Sequence, residues 1–476
     1  MNIVTGVAAP VADSSTRSKW FWLGLAAAAG VAIAALPTPS GLTRPAQLVL
    51  AITAFTVLLW MFRVMNNGVA SVLMMALMIP AGIRPQLAFS GFASPQFWLL
   101  LTVLFYGFAM QRTGLAQRLS YYILSLFPST YSGILGAFFV IGLVLALGIP
   151  SMTVRTAIMA PLAWALVQSL GIAPRSRSAA VIMLTAVEMA VVPGCAFLYG
   201  SLYGPVVESV FQTKNLDLSW MAYAKVMTVP TLVLCGLLIA VNQIVLKPES
   251  TLNSSPRFAR EGLKGLGPIK RAEILTGGVV ALSIVYWATD RIHHLPSFFI
   301  GMLALVVFTL AGIVRDEDIA TGVSWTLLLF LGGILSLGNI IQEYKLTDWL
   351  ATLFVPAVQR LTFSTVAVVL VMALGMFAFR FLDPSGFIAI AVLFLPVSDI
   401  TGAAGIPPLV LVAPLVMAGV PFWVSYQNIW VVMCEGITAN QAFSGRQRLR
   451  LANAYAAICL VTLALAVGFW KLIGVL

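Results

Sequence analysis

The chain has 476 residues, of which 60% are apolar and 9% charged, and it carries a formal net charge of +11. Soluble domains average about a quarter charged residues, so an ordinary soluble protein is excluded. The basic residues lie in short connections between apolar runs rather than in an aromatic-interleaved patch, which excludes nucleic acid as a partner and fits the positive-inside rule.

In chain order, the polar stretch through Lys19 lacks an apolar core and is not expected to be a cleavable signal. Candidate spans then fall at roughly 20–36, 46–62, 69–82, 96–111, 178–200, 221–246, 272–289, 296–313, 324–343, 409–432 and 451–473. A hydrocarbon core leaves backbone groups no outside partner, so these spans are helices; they lack the alternation of barrel strands. Two further stretches are interrupted, 131–170 at Gly148-Ile149-Pro150-Ser151 and 361–402 at Asp383-Pro384-Ser385-Gly386. Proline and glycine break a helix there, and each stretch reads as a re-entrant hairpin. The expectation is an all-α polytopic membrane protein of about 11 transmembrane helices plus two re-entrant hairpins in an inverted repeat. Trp20, Trp22 and Trp470 are placed as interfacial anchors, and Cys195, Cys235, Cys434 and Cys459 as small buried hydrophobes.

Orientation follows from the charges. Arg17 and Lys19 put the N-terminus in the cytoplasm. Counting crossings then places Arg112, Arg118, Arg175, Arg177, the loop from Lys247 to Arg271, and Arg446 to Arg450 inside, with the C-terminus outside. The first hairpin enters from the cytoplasm and the second from outside. The expected location is a bacterial inner membrane. Gly107, Gln111 and Leu115 recur at the same spacing as Gly338, Gln342 and Leu346; Pro161 answers Pro396, and Gly171-Ile172-Ala173-Pro174 answers Gly405-Ile406-Pro407-Pro408.

Charged residues at mid-membrane are functional candidates by default; here they are Arg155, Glu188, Arg380, Asp383 and Glu435. Arg155 either contacts an anionic substrate or pairs with Glu188 or Asp383. Asp383 either takes a proton or cation or caps the following half-helix, with Arg380 placed to neutralise it. Glu188 is a partner for Arg155 or a titrating site, and Glu435 is expected to snorkel to the interface. Breaks at Pro193-Gly194-Cys195, Gly200 to Pro205, Pro421 and Ser425 to Asn428 either line a cavity or kink packed helices.

These residues resemble the divalent anion/sodium symporter family, nearest its dicarboxylate and citrate translocator branch. The similarity lies in Ser90-Gly91-Phe92-Ala93-Ser94-Pro95 with Trp98, Arg112 to Arg118, Pro150-Ser151-Met152-Thr153-Val154-Arg155, Ser176 to Ala180, and Trp470 to Gly474. The resemblance implies a homodimer in which a scaffold holds a transport domain that moves as an elevator. It divides the chain into an N-terminal tail and first span (1–45), scaffold and transport parts of repeat one (46–118 and 119–246), a basic cytoplasmic loop (247–271), and scaffold and transport parts of repeat two (272–346 and 347–476). It implies an anionic substrate held by Ser151, Met152, Thr153, Arg155, Ser201, Asp383, Ser385, Gly386, Phe387 and Asn428, with Ser151, Thr153, Glu188, Gly200 and Asp383 as ion-coupling candidates. No cofactor is implied beyond a coupling sodium or proton. Met152 stands where the family carries asparagine, and the second tip, Gly386-Phe387-Ile388, has lost its Ser-Asn-Thr. Sodium needs oxygen ligands. The expectation is therefore a secondary transporter of di- or tricarboxylates in which Arg155 supplies fixed charge for exchange, or Asp383 or Glu188 carries a proton.

The competing function is a cation/proton antiporter using Glu188 and Asp383. An enzyme is not expected: the only histidines, His293 and His294, are adjacent in a short loop without a carboxylate cluster.

Overall fold

The computed structural model describes residues 16–62, 64–214, 216–249, 252, 257–346, 349, 364–381, 386–402 and 405–476. Among them there are helices and no strand. The principal helices are α1 (Thr16–Ala35), α2 (Arg44–Met61), α3 (Asn67–Met78), α4 (Pro95–Thr113), α5 (Leu115–Leu126), α6 (Tyr131–Gly148), α7 (Met152–Ser169), α8 (Arg177–Val191) and α9 (Tyr203–Thr213). They continue with α10 (Trp220–Val245), α11 (Arg271–Ala288), α12 (Ser297–Leu310), α13 (Trp325–Glu343), α14 (Thr365–Phe379), α15 (Phe387–Gly402), α16 (Pro408–Met417), α17 (Ile429–Ile437) and α18 (Gly445–Leu472). One local device starts many of them. Thr43, Asn66, Ser94, Thr130, Ser151, Ser176, Ser219, Ser324, Ser364 and Ser444 each accept a hydrogen bond from a first-turn amide, satisfying a donor the helix leaves open.

Among the described residues, seven helices are long and apolar enough to cross a membrane alone, or eight if the bent pair α4–α5 is one span. The shortfall from the eleven expected runs has local causes. The run 178–200 ends as a helix at Val191, passes through a 3-10 turn over Val192–Ala196 and resumes only at Tyr203. The run 409–432 stops at Met417 and restarts at Ile429. Proline in each gap withholds a backbone donor. Residues 115–126, outside every expected span, form α5, which follows α4 with a 69° bend at Gly114, whose φ of +86° suits glycine.

Hydrogen bonds between helix ends sort the connections into two faces. On the first, Asn66 meets Thr326 (3.2 Å), Arg112 meets Asp318, Arg118 meets Glu273 (2.5 Å), Arg177 meets Glu249 (2.8 Å), and the Arg175 amide donates to the Gln441 carbonyl (2.8 Å). On the second, Arg84 meets Glu343 (3.0 Å), the Trp220 amide donates to Asp290 (2.8 Å), and Trp349 donates to the Ser40 carbonyl (3.3 Å). Ser132, at the start of α6, bonds to Gln243 (2.9 Å), and Ser178, in the first turn of α8, takes the amide of Glu249 (2.9 Å). The starts of α6 and α8 therefore both meet the C-terminal end of α10 and the residues just after it.

Trp470 corrects an expectation. It is not an interfacial anchor: it is fully buried, and its indole N–H donates to the Val226 carbonyl at 2.9 Å. Pro230, four residues on within α10, has no amide for that carbonyl, and the indole of α18 takes its place. All four cysteines are buried and free.

Candidate functional site

A cavity of about 450 Å³ lies where several helix starts converge. Ser151, Met152 and Thr153 bring the start of α7, Leu202 and Tyr203 the start of α9, and Asn428, Ile429 and Trp430 the start of α17. Asn67 and Ser324 bring the starts of α3 and α13, and Gln111 adds an amide from the last turns of α4. Each helix N-terminus carries roughly half a positive charge and unpaired amides, which makes it a ready anion site. Five such ends face one space whose described lining holds no Lys, Arg, His, Asp or Glu. Asn67, Gln111 and Ser324 belong to the first face, so the cavity lies toward it.

Arg155 does not line this cavity. It is completely buried, and its guanidinium is spent on backbone carbonyls. Nε donates to Ala190 (2.6 Å), Nη1 to Ile149 (2.5 Å) and to Gly200 (2.6 Å), and Nη2 to Val191 (3.4 Å). The last carbonyls of α8 have no helical partners and form the negative end of its dipole; a planar five-donor cation fits them. Among the described residues no carboxylate pairs with Arg155, so carbonyls rather than Glu188 balance its charge. One guanidinium thus ties the break at Ile149, between α6 and α7, to both sides of the break between α8 and α9.

A second buried arginine repeats the arrangement with different residues. Arg380, at the C-terminal cap of α14 and fully buried, donates to the Gln427 carbonyl and to Oδ1 of Asn428 (3.0 Å). Asn428 in turn donates to the Pro421 carbonyl. Gly386 has φ +76°, and a Cβ there would lie 2.9 Å from the Tyr203 hydroxyl and 3.3 Å from Cδ of Arg380. Tyr203 lines the cavity beside Ser151–Thr153 and donates to the Gly419 carbonyl at 2.9 Å. Tyr203 therefore stands between Ser151–Thr153 and Gly386.

The other predicted residues divide. Phe387 begins α15. Asp383 and Ser385 lie outside the described residues. Ser201 is fully buried next to Gly200, and its hydroxyl has no partner among the described residues. Glu188 is buried on α8, 2.5 Å from Nδ2 of Asn242, which also donates to Thr185 (3.0 Å). Glu435 pairs with Arg448 of α18 (2.7 Å) and accepts from Ser425 (3.0 Å). Asn67, Ser324 and Trp430 line the cavity without having stood out in the sequence as site residues, and Gln111 stood out there only as a repeat marker. The available signal was the Ser-Trp and Asn-Asn-Gly helix starts, which look like ordinary caps in one dimension.

The profile of the sodium:sulfate symporter transmembrane region matches residues 17–475. The chain belongs to this family. It is a family of membrane transporters, not enzymes, and the chain is an integral membrane protein. The symporter-family chain is 26% identical over 388 residues to dicarboxylate transporter 1 of the Spinacia oleracea chloroplast, covering 80% of this chain and 68% of that protein. It is 24% identical over 347 residues to the putative malate transporter YflS of Bacillus subtilis, covering 71% of this chain and 73% of that one. Among solved structures, the YdaH transporter of Alcanivorax borkumensis superposes with a TM-score of 0.58 at 14% identity, covering 96% of this chain and 98% of that one. MtrF of Neisseria gonorrhoeae follows at 0.54 and 13%, covering 97% and 96%. These two likenesses concern the fold alone.

Proposed function

We propose that this family member exchanges small di- or tricarboxylates across a bacterial inner membrane, without sodium, using buried arginines as built-in cations. The observation that carries the reading is a cavity ringed by five helix N-termini and uncharged among the described residues. It offers amides, hydroxyls and carboxamides to an anion at several points, as a molecule with two carboxylates requires. The relatives described as dicarboxylate and malate transporters fit the same chemistry.

Sodium independence rests on Arg155 and Arg380. Backbone carbonyls of Ile149 and Gly200 converge next to the first tip, an arrangement a hard cation would accept, but a guanidinium nitrogen already holds both. Gln427 and Asn428 converge in the same way on Arg380. With both positions filled covalently, no cation has to enter or leave during a cycle. A loaded substrate is then the natural return cargo, which is exchange. Glu188 is kept as the alternative proton carrier. A cation/proton antiporter is less well supported, because no carboxylate lines the cavity among the described residues.

In this reading α6–α9 and α14–α17 form a transport unit that moves as an elevator against a scaffold of α2–α4 and α11–α13, each present twice in a homodimer. The basic face is cytoplasmic, and the cavity is open toward it. A thermal-shift screen of the purified protein tests the substrate class, since a ligand of the folded state raises stability with log concentration. Stabilisation by succinate-like dicarboxylates but not by monocarboxylates is expected. Stabilisation by sodium or other simple cations alone, with no response to any carboxylate, would overturn the reading.

A further inference from the structure

The first face carries one element the transport cycle does not use, the surface helix Arg257–Gly265. At about 100° per residue, Phe258, Ala259, Gly262 and Leu263 fall on one side, and Arg257, Arg260, Glu261 and Lys264 on the other. The apolar side is already occupied. Phe258 meets the ring of Tyr121 at 6.0 Å, Ala259 is buried, and a Cβ on Gly262 would lie 2.4 Å from Tyr121. The basic side is exposed.

The return from this helix is bolted to α5 as well. Arg118 donates to the carbonyls of Gly267 (2.9 Å) and Pro268 (3.2 Å) and pairs with Glu273 at 2.5 Å. Beyond the bolt, exposed Lys270 and Arg271 alternate with Ile269 (55% exposed) and Ile274 (59% exposed). Apolar and basic side chains mixed in this way mark the headgroup level of a bilayer. Only five residues separate Gly265 from α11, so the helix is tethered to the membrane surface.

We infer that the face formed by Arg257, Arg260 and Lys264 binds the anionic headgroups of phospholipids in the surrounding leaflet. The tether and the net charge of that face single out lipid over a soluble partner, because the headgroups are always within reach and need no docking entropy. The site sits on the joint between α4 and the first hairpin: α5, to which the helix is fastened, is the bent piece connecting them. Anionic lipid therefore clamps the joint about which the hairpin swings.

The test titrates purified full-length protein in neutral detergent with short-chain phosphatidylglycerol, short-chain phosphatidylcholine and glycerol phosphate, reading the unfolding temperature. Phosphatidylglycerol alone is expected to stabilise, with an effect that fades in high salt. Each of Arg257→Gln, Arg260→Gln and Lys264→Gln is expected to weaken the apparent affinity roughly five-fold. Glu261→Gln, which removes the opposing charge without touching the Tyr121 contact, is expected to tighten it by a similar factor. Equal stabilisation by phosphatidylcholine would overturn the inference, as would equal stabilisation by free glycerol phosphate. Unchanged affinity in all four variants would do the same.

Discussion

Gly194 exists where it does because of Arg155: a Cβ at residue 194 would stand 2.4 Å from Nη2 of the guanidinium and 2.3 Å from the Gly200 carbonyl. The turn after α8 must approach the arginine this closely for Ala190, Val191 and Gly200 to share it. Gly194→Ala is expected to push the guanidinium off at least one carbonyl. Arg155→Ala removes it and leaves several buried carbonyls unpaired, each worth about 1–3 kcal/mol. Both variants should lose thermal stability in detergent, Arg155→Ala by about 3 kcal/mol or more. Arg155→Lys should recover only part of this, because one ammonium cannot bridge acceptors on three sides. A fully stable, fully active Arg155→Ala protein would show that the carbonyls do not depend on it.

Val226 and Trp470 make a second, independent test. Trp470→Phe strands the Val226 carbonyl, at a cost of about 1–3 kcal/mol, and adds the cost of the buried ring volume it loses. In a Pro230→Ala background the new amide of residue 230 takes that carbonyl, and the cost of Trp470→Phe should fall by the carbonyl's share, leaving only the packing loss. Equal costs in both backgrounds would mean that the proline is not what recruits the indole.

The cavity residues predict a separation of binding from stability. Gln111→Ala and Asn67→Ala remove uncharged groups from the lining and should weaken dicarboxylate binding roughly ten-fold each, the usual value of a hydrogen bond to a charged group, with little change in unfolding temperature. Ser151→Ala differs, since the side chain also caps α7 by accepting from the Val154 amide at 3.3 Å. It should lower both affinity and stability, the latter by about 1 kcal/mol. Titration calorimetry beside a melting curve reads both quantities. Unchanged affinity in all three variants would remove the cavity from consideration.

Asp318 gives a pH dependence outside the membrane. Burial pushes its carboxyl up, but the Arg315 amide at 2.8 Å and the Arg112 guanidinium outweigh this and hold it below the usual carboxylate range. A depressed value stabilises the fold above the unfolded pKa of roughly 4 and loses that contribution as pH falls through the folded one. Asp318→Asn should therefore melt below wild type at neutral pH, with the gap closing as the medium is acidified below the ordinary carboxylate range. A gap that does not change with pH would contradict the assignment.

How far the sequence discloses this arrangement depends on range. The break at Ile149-Pro150 is legible because proline and glycine act locally, and so is the capping serine that follows. That Arg155 would be spent on carbonyls was not legible: apart from Ile149, six residues back, its acceptors lie 35 to 45 residues away, and all are backbone atoms that any residue could carry. Apolarity alone also treats 178–200 and 409–432 as continuous spans, since Pro193 and Pro421 change hydrogen bonding rather than hydropathy. Trp470 reads as an anchor for the same reason; only its neighbour across the helix interface shows that its N–H has an inward task. Asn67 and Ser324 look like helix caps and nothing more until five helix starts are seen to share one cavity.

In the exchange cycle proposed above, two buried arginines stand where mobile cations would otherwise be needed. The most direct measurement is dicarboxylate counterflow in vesicles containing only this protein, at fixed pH, with all sodium replaced by a large organic cation. Internal dicarboxylate should accelerate entry of labelled dicarboxylate fully under these conditions, and restoring sodium should add nothing. Uptake that stays absent until sodium returns would contradict the account.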